Sequence, residues 1–233
     1  MKKNISKVLS LVICLFVLSS ASVQAQSETR KVSGFDQVKI SGAYLVYLTE
    51  GNEEMVEIET QNIDPEEIVT EVNGNVLKIE PKQKNWKYNK SRVTINITYK
   101  KLVAIHSGGA SNIVGNSVIK TSNFDLKGSG SGDMKIKVDV NNLNISLSGS
   151  NDVEVEGKTN TQSIAISGSG DISAFELESG TTTVKISGSG DVDVNVSESL
   201  TAKISGSGDI SYKGSPDRQD VKVSGSGSVK KVN

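Results

Sequence analysis

Ser187-Gly188-Ser189-Gly190-Asp191 is the stretch that decides the fold, because the same pattern returns along the whole C-terminal half of the chain. Seven copies, four of them complete, begin at Ser107, Ser129, Ser148, Ser167, Ser187, Ser205 and Ser224. Successive copies are 18 to 22 residues apart, most often 19, and the degenerate copy at Ser107 is one residue longer than the others. Regular spacing of this kind predicts stacked structural units.

Apolar residues alternate with polar ones on both sides of each copy. Val184 and Ile186 precede the pattern, and Val192, Val194 and Val196 follow it. This period of two predicts strands with one buried face, and together with the glycine content it excludes a helix. We therefore predict an all-β fold, a single-stranded parallel β-helix (β-solenoid) whose turns lie about 4.8 Å apart. A meander of hairpins is disfavoured because it would put alternate turns at opposite ends of the strands.

The pattern itself has a structural interpretation and a functional one. We expect its two glycines to adopt positive φ at a sharp corner, and its Ser and Asp side chains to bond backbone amides in ladders along the stack. The functional alternative is calcium at the stacked aspartates, Asp133, Asp152, Asp171, Asp191 and Asp209. We disfavour calcium and predict no metal site, because each turn supplies one carboxylate whereas calcium takes six to eight oxygens.

The first part of the chain, residues 27–105, lacks the pattern but remains strand-like. We predict it to be an irregular β N-terminal part that covers the first coil of the solenoid, and residues 106–233 to be the solenoid proper with about seven turns. Asn73-Gly74 is typical of a hairpin turn. Asp64-Pro65 is typical of the N-cap and first position of a short helical turn.

The N-terminus has the features of a secretory signal peptide. Lys2, Lys3 and Lys7 precede an apolar run, 8–18, that is too short to span a bilayer, and cleavage is expected after Ala25. Cys14 is the single cysteine, and its place inside the apolar run, after Ile13, disfavours lipid attachment. We therefore predict that residues 1–25 are removed and that the exported mature chain, in the periplasm or at the cell surface (extracellular), has no disulfide.

The charge of the mature chain excludes some partners. Loss of the three signal-peptide lysines changes the formal net charge from −1 to −4. Acidic and basic residues are interspersed, so the sequence has no nucleic-acid footprint. No second long apolar segment occurs, so no transmembrane segment is expected in the mature chain.

A basic segment with aromatic residues, 82–92, is the candidate binding site. Its candidate contact residues are Lys84, Trp86, Lys87, Tyr88 and Arg92. Aromatic faces and basic groups serve carbohydrate and anionic-polymer binding, so a polysaccharide or a cell-surface component is the expected partner. The alternative is a solvated loop whose aromatic rings pack on their own hairpin.

No catalytic set is convincing. His106 is the single histidine, and alignment of the copies predicts that it takes the place of the apolar residues Ile166 and Ile186, which favours a partly buried edge residue over a base. The sequence shows no nucleophile motif, no metal-ligand spacing and no phosphate-cradling loop, so we predict no enzyme and no cofactor. Outward residues are mostly small or alternately charged. Two alternatives stay open: a carbohydrate-active β-helix enzyme, and a structural protein that forms homo-oligomers through the solenoid ends.

The mature chain resembles a known family. Residues 34–38 (Gly-Phe-Asp-Gln-Val), 40–43 (Ile-Ser-Gly-Ala) and 77–79 (Leu-Lys-Ile), followed by Leu102 and the series of corners that ends at Ser224, are similar to the putative auto-transporter adhesin, head GIN domain family, a domain of unknown function common in Bacteroidetes-type bacteria. The resemblance implies a β-helix-like fold, an exported location and an adhesin role. No series of amphipathic strands typical of an outer-membrane barrel follows the repeats, so periplasmic residence and surface display both remain open.

Overall fold

The structure, a computed structural model, describes residues 25–83 and 91–233. These residues form sixteen strands and one 3-10 turn (Pro65–Glu67), with no α-helix among them. The strands are β1 (Ala25–Lys31), β2 (Gln37–Gly42), β3 (Leu45–Glu50), β4 (Met55–Gln61), β5 (Ile68–Asn73), β6 (Val76–Pro81), β7 (Arg92–Tyr99), β8 (Ala104–Gly109), β9 (Asn112–Gly130), β10 (Met134–Gly149), β11 (Val153–Gly168), β12 (Ile172–Ile186), β13 (Val192–Gly206), β14 (Ile210–Lys213), β15 (Arg218–Gly225) and β16 (Val229–Lys231).

The chain winds as a β-solenoid, as predicted, and has two faces. The long strands β9 to β13 each bend once, so one half of a strand pairs within the first sheet and the other half within the second sheet. The first sheet runs β1-β4-β7-β3-β9-β10-β11-β12-β13-β14-β16. The second sheet runs β5-β6-β2-β8-β9-β10-β11-β12-β13-β15.

The core lies between the two sheets and is built from the alternating apolar residues. Val192, Val194 and Val196 of the first sheet are fully buried, and Ile186 and Ile204 of the second sheet are nearly so. Parallel pairing places like residues over one another, so each coil covers the apolar face of the next. Burial of one such side chain stabilises the fold by about 1.5–3 kcal/mol, and the stack repeats this gain in every coil.

The second glycine of the repeated pattern adopts the predicted positive φ in several copies, but the fourth glycine does not. Gly130, a second-position glycine, has φ +134°, whereas Gly190, a fourth-position glycine, lies outside the positive-φ region. Gly190 is needed for another reason: a Cβ there would overlap the carbonyl oxygen of Gly170 in the coil beneath and lie 3.2 Å from Cγ2 of Ile166. The prediction of positive φ at the fourth glycine is therefore wrong, because close stacking of backbones excludes a side chain there.

The variant copy at Ser148 shows what a side chain at the fourth position requires. Asn151 occupies that position and is buried, and its Nδ2 donates to the carbonyl oxygen of Gly132 over 3.0 Å. Its side chain lies against Gly128, which stands where Ile166 stands two coils later. Asn151 is therefore accommodated by a missing side chain in the coil beneath.

The predicted aspartate ladder is present. The backbone N–H of Asp209 donates to Oδ1 of Asp191 over 2.7 Å, and that of Asp191 donates to Oδ1 of Asp171 over the same distance. The ladder continues at both ends with different residues: Asn112 accepts from the N–H of Asp133, and Ser228 donates to Asp209. The carboxylates of Asp152, Asp171, Asp191 and Asp209 thereby each satisfy a backbone amide of the next coil, which explains the aspartates at these corners.

Strands of the motif-free part lie at the start of both sheets. β4 pairs antiparallel with β1 and β7, and β5 pairs antiparallel with β6, so antiparallel strands cover the first parallel coils. The predicted hairpin is confirmed, with Gly74 at φ +63° in the two-residue loop between Asn73 and Val76. The helical turn is confirmed too, since Asp64 accepts from the N–H of Glu66.

The division of the chain at residue 105 stays a prediction. The predicted signal peptide lies outside the described residues except for Ala25, the first residue of β1.

Length differences between coils are absorbed in the first sheet and at one bend. Register shifts occur in the first sheet between Lys135 and Lys137, between Glu154 and Gly157, and between Ala174 and Glu178, and a fourth, between Ser179 and Thr181, lies at the bend between the sheets. The pairings of the second sheet run without a shift from β2 to β15. Its outward residues therefore form straight columns along the stack.

Candidate functional site

An open groove of about 930 Å³ runs along the outer surface of the second sheet. It extends across eight strands, from Lys39 on β2 to Ser224 on β15, which at the spacing of adjacent strands is roughly 34 Å. Two columns of side chains border it, and the strand backbones between them form its floor. The groove is larger than a second concave surface of about 560 Å³ beside the first sheet, and it is the candidate site.

The first border is a column of nine aligned residues, which we call the basic column. It consists of Lys78, Lys39, His106, Lys127, Ser146, Ala165, Lys185, Lys203 and Lys222. Six of the nine residues are lysines and none is acidic. In-register pairing places them at successive strand spacings of about 4.8 Å. Like charges on adjacent strands destabilise a sheet, so this column has an energetic cost.

On the first sheet, lysines of β10 and β11 lie opposite acidic residues, so like charges do not face one another there. There Lys135 lies 2.6 Å from Glu154, and Lys158 lies 3.3 Å from Asp139, in each case across adjacent strands. A third cross-strand ion pair joins Lys137 to Glu156, and its hydrogen bond holds the pKa of Glu156 below the ordinary value. Outward residues of alternating charge are therefore present between β10 and β11 of the first sheet, whereas the basic column of the second sheet carries one sign of charge.

The basic column is largely without ionic partners. Its end members have them: Lys78 lies 2.5 Å from Glu80, and Lys222 lies 3.8 Å from Asp220. The exposed inner lysines, Lys39, Lys127, Lys185 and Lys203, form no ion pair with any residue of 25–83 or 91–233. The groove therefore presents uncompensated positive charge along most of its length.

The second border of the groove comes from the repeated pattern itself. In the six copies that begin at Ser129 and beyond, the first residue lies two positions after the basic column, and these residues form the serine column. Its members in the groove are Ser129, Ser148, Ser167, Ser187, Ser205 and Ser224. Of these hydroxyls only that of Ser129 donates to the protein within the described residues, to the carbonyl oxygen of Ser107 over 3.3 Å. The exposed hydroxyls are free to bond a ligand beside the lysines.

His106 belongs to the basic column, which corrects its sequence assignment. It aligns with Lys39 on one side and Lys127 on the other, while Ser107 takes the inward place of Ile166 and Ile186. Sequence alignment misplaced it because the copy at Ser107 is one residue longer. Burial, followed by the charge of Lys127, lowers the pKa of His106, and Asp125 partly opposes this shift.

The aspartate column of the corners lies apart from the groove. Its Oδ1 atoms are used by the backbone amides of the next coil. No group of three or more His, Cys, Asp or Glu side chains that could hold a metal ion occurs in the part of the chain that the structure describes. Hydrogen bonds from the Ser228 side chain and backbone hold the pKa of Asp209 below its ordinary value.

Four of the five candidate contact residues from the sequence, Lys84, Trp86, Lys87 and Tyr88, lie outside the described residues. Arg92 is described: it is exposed, begins β7 and aligns with Gln61. The segment that carries the other four joins the end of β6 in the second sheet to the start of β7 in the first. In the later coils the repeated pattern makes the same connection between the two sheets.

The chain matches one family model over most of its length. The model is that of the putative auto-transporter adhesin, head GIN domain, and it matches residues 34–216. The protein belongs to this family. A comparison with curated proteins finds no significant match.

Solved structures share the fold of this family member. A putative adhesin from Bacteroides fragilis is 25% identical with a TM-score of 0.84, over 90% of this chain and 97% of that one. A putative lipid binding protein from Parabacteroides distasonis is 27% identical with a TM-score of 0.71, over the same shares of the two chains. A putative adhesin from Parabacteroides merdae, 23% identical with a TM-score of 0.72, shows the fold alone.

These descriptions agree with an exported protein of adhesin type and name no enzyme. Within residues 25–83 and 91–233, no helix is long and apolar enough to cross a membrane.

Proposed function

We propose that the protein is a non-catalytic binding module of the cell envelope that holds an extended carbohydrate polymer in the groove of the second sheet. The observation that carries the proposal is a straight, open groove across eight strands, bordered by free hydroxyls and ammonium groups. A groove of this shape fits a chain lying along it better than a compact small molecule, because its two columns repeat the same side chains at every coil.

The segment 82–92 is proposed as a second contact for the same ligand. We propose that Trp86 and Tyr88 stack on a sugar ring of that ligand, since aromatic faces and basic groups serve carbohydrate binding. This contact would add to the groove and is not needed for the groove to bind.

The protein carries the ligand without altering it. A glycosidase uses two carboxyl groups that flank the bond to be cleaved, roughly 5–10 Å apart. The lining of the groove contains no acidic residue, and Asp125 is the carboxylate beside His106 in the neighbouring column. The exported location is proposed to be the periplasm or the cell surface, as the predicted signal peptide requires.

The proposal is tested with a variant that fills the groove. Ala165 is exposed in the middle of the basic column, between Ser146 and Lys185 on the adjacent strands. Ala165→Trp is expected to weaken binding to immobilised envelope polysaccharides by at least about tenfold, because a bulky ring blocks the path of the polymer. The matched control is Ser173→Trp, an exposed position on the first sheet, which should bind like the wild type.

Two results would overturn the proposal. One is equal binding by wild type and Ala165→Trp. The other is release of oligosaccharides by the wild type that Asp125→Asn abolishes, which would make the protein a carbohydrate-active enzyme. Self-association through the solenoid ends is tested separately by sedimentation velocity, and it predicts oligomers whose size does not depend on added polysaccharide.

A further inference from the structure

We infer that the groove selects a linear polyanionic polysaccharide, whose acidic groups pair with the lysines of the basic column. This inference rests on the proposed function and adds the chemical class of the ligand. Within the described residues the four inner lysines have no ion pair, and their neighbours on adjacent strands carry the same charge or none. The positive charge of these lysines is therefore not neutralised by the protein.

The two sheets of the same molecule provide an internal comparison. On the first sheet, three lysines of β10 and β11 lie opposite glutamate or aspartate on the other of these two strands, so their charges neutralise one another. On the second sheet, Lys185, Lys203 and Lys222 follow one another on three adjacent strands. A polymer with regularly repeated acidic groups would supply along the groove the negative charge that the first sheet supplies from its own side chains.

The geometry favours an extended ligand over isolated anions. Because the second sheet has no register shift, the lysines stay in one line over the length of the groove. The serine column runs parallel to that line and offers hydroxyls to sugar hydroxyls and carboxylates. Ser146 and Ala165 interrupt the charge in the middle of the column and leave room there for the bulk of a sugar ring.

The residues that line the groove also favour a polysaccharide over two other polyanionic ligands, a single-stranded nucleic acid and a membrane surface. Single-stranded nucleic acids are held by aromatic side chains on which bases stack, and no aromatic residue lines the groove. A membrane surface is engaged by a basic face with exposed apolar or aromatic anchors. Val223, on the terminal strand β15, is an exposed large hydrophobic residue of the groove lining, and none lies between Lys39 and Lys203.

The test uses a charge-removal variant of the full chain, Lys127→Gln/Lys185→Gln/Lys203→Gln. Its matched control, Lys135→Gln/Lys137→Gln/Lys158→Gln, removes the same charge from the first sheet. Binding of heparin oligosaccharides, neutral dextran, and phosphatidylcholine vesicles with and without phosphatidylserine is measured by calorimetry at several salt concentrations. Circular dichroism and urea unfolding establish that both variants are folded.

We expect the wild type to bind heparin oligosaccharides with a logarithmic salt dependence of roughly −3, as four released counterions imply. The charge-removal variant should bind at least about tenfold more weakly, with a salt dependence near about −1 from the remaining Lys39. The control should bind like the wild type. This set of results supports the inference.

The other outcomes overturn it in distinguishable ways. Heparin binding that both variants lose equally, or that neither loses, removes the basic column from the interaction. Binding of dextran alone, blocked by Ala165→Trp, overturns the ionic inference and leaves the proposed function standing. Binding to phosphatidylserine vesicles without any soluble polymer replaces it with a membrane surface. No binding to any probe overturns both proposals.

Discussion

Replacement of Gly190 by alanine tests the stacking argument at the corner. The backbone of Gly190 lies outside the positive-φ region, so alanine meets no conformational barrier there. Its Cβ, however, would overlap the carbonyl oxygen of Gly170 and lie 3.1 Å from that carbonyl carbon. Unlike Asn151, which lies over Gly128, it would have Ile166 beneath it and no space to enter.

The cost follows from the separation that the coils would need. Ordinary contact of a carbon atom requires the two backbones to move apart by about 1 Å. This would stretch two bonds: the Ser189 N–H to the Gly168 carbonyl oxygen, now 2.9 Å, and the Asp191 N–H to Oδ1 of Asp171, now 2.7 Å. Weakening of two hydrogen bonds with local strain gives a loss of about 2–4 kcal/mol in the free energy of unfolding.

The assay is equilibrium unfolding in urea, with Gly115→Ala as the matched control. A Cβ at Gly115 would have its nearest neighbour at 3.5 Å, which is ordinary contact, so its effect should stay within about 0.5 kcal/mol. The stacking argument is refuted if Gly190→Ala lies within about 1 kcal/mol of the wild type, or if the two variants lose the same amount.

Four further expectations concern the corners and the groove. Asp191→Ala should lower the free energy of unfolding by about 1 kcal/mol, and Asp191→Asn by less, since the amide oxygen still accepts from the next coil. Because the pKa of His106 is lower in the folded chain, the unfolded chain binds more protons below about pH 6.5. Stability should therefore fall as the pH drops from 7 to about 5, and His106→Gln should flatten this part of the profile. The lowered pKa of Asp209 adds stability above about pH 4 that is lost as the pH falls through its folded value, and Ser228→Ala should reduce that loss. Calcium should move the melting temperature by less than about 1 °C.

Each of these expectations has a contrary result in the same measurement. Equal unfolding curves for Asp191→Ala and wild type would remove the ladder from the stability of the corner. An unchanged pH profile in His106→Gln, or in Ser228→Ala at acid pH, would assign the titration to other groups. A rise of several degrees with calcium that a chelator reverses would restore the calcium interpretation of the aspartates.

The fold could be predicted because its determinants are local and repeated. Spacing and alternation give the coil, and the residues of the corner give the aspartate ladder without any long-range information. The role of the fourth glycine could not be read in this way, since it depends on how closely Gly190 approaches Gly170 in the coil beneath. Positive φ requires glycine at the second position in several copies, and close stacking of backbones requires glycine at the fourth. The sequence does not distinguish the two requirements, because both select glycine.

The basic column was not predicted from the sequence, because it depends on which residues of different strands pair with one another. Lys39 and His106 are adjacent in space and 67 residues apart in the chain, and the motif-free part gives no marker that aligns them. Lys185 and Lys203 carry a visible signal, since each lies two residues before a copy of the pattern. Comparison of that position across all copies would have found part of the column.

Register shifts occur in the first sheet and at one bend but not within the strand pairings of the second sheet, which has a consequence for how such a chain can change. Residues gained or lost near Gly157 or Leu177 would be taken up as local bulges, as the existing ones are. The spacing of the side chains along the groove would not change, because the strands of the second sheet pair without a register shift from β2 to β15. The first sheet can therefore accept inserted loops or grafted peptides. The second sheet keeps a fixed strand register, so ligand specificity could be altered there one coil at a time.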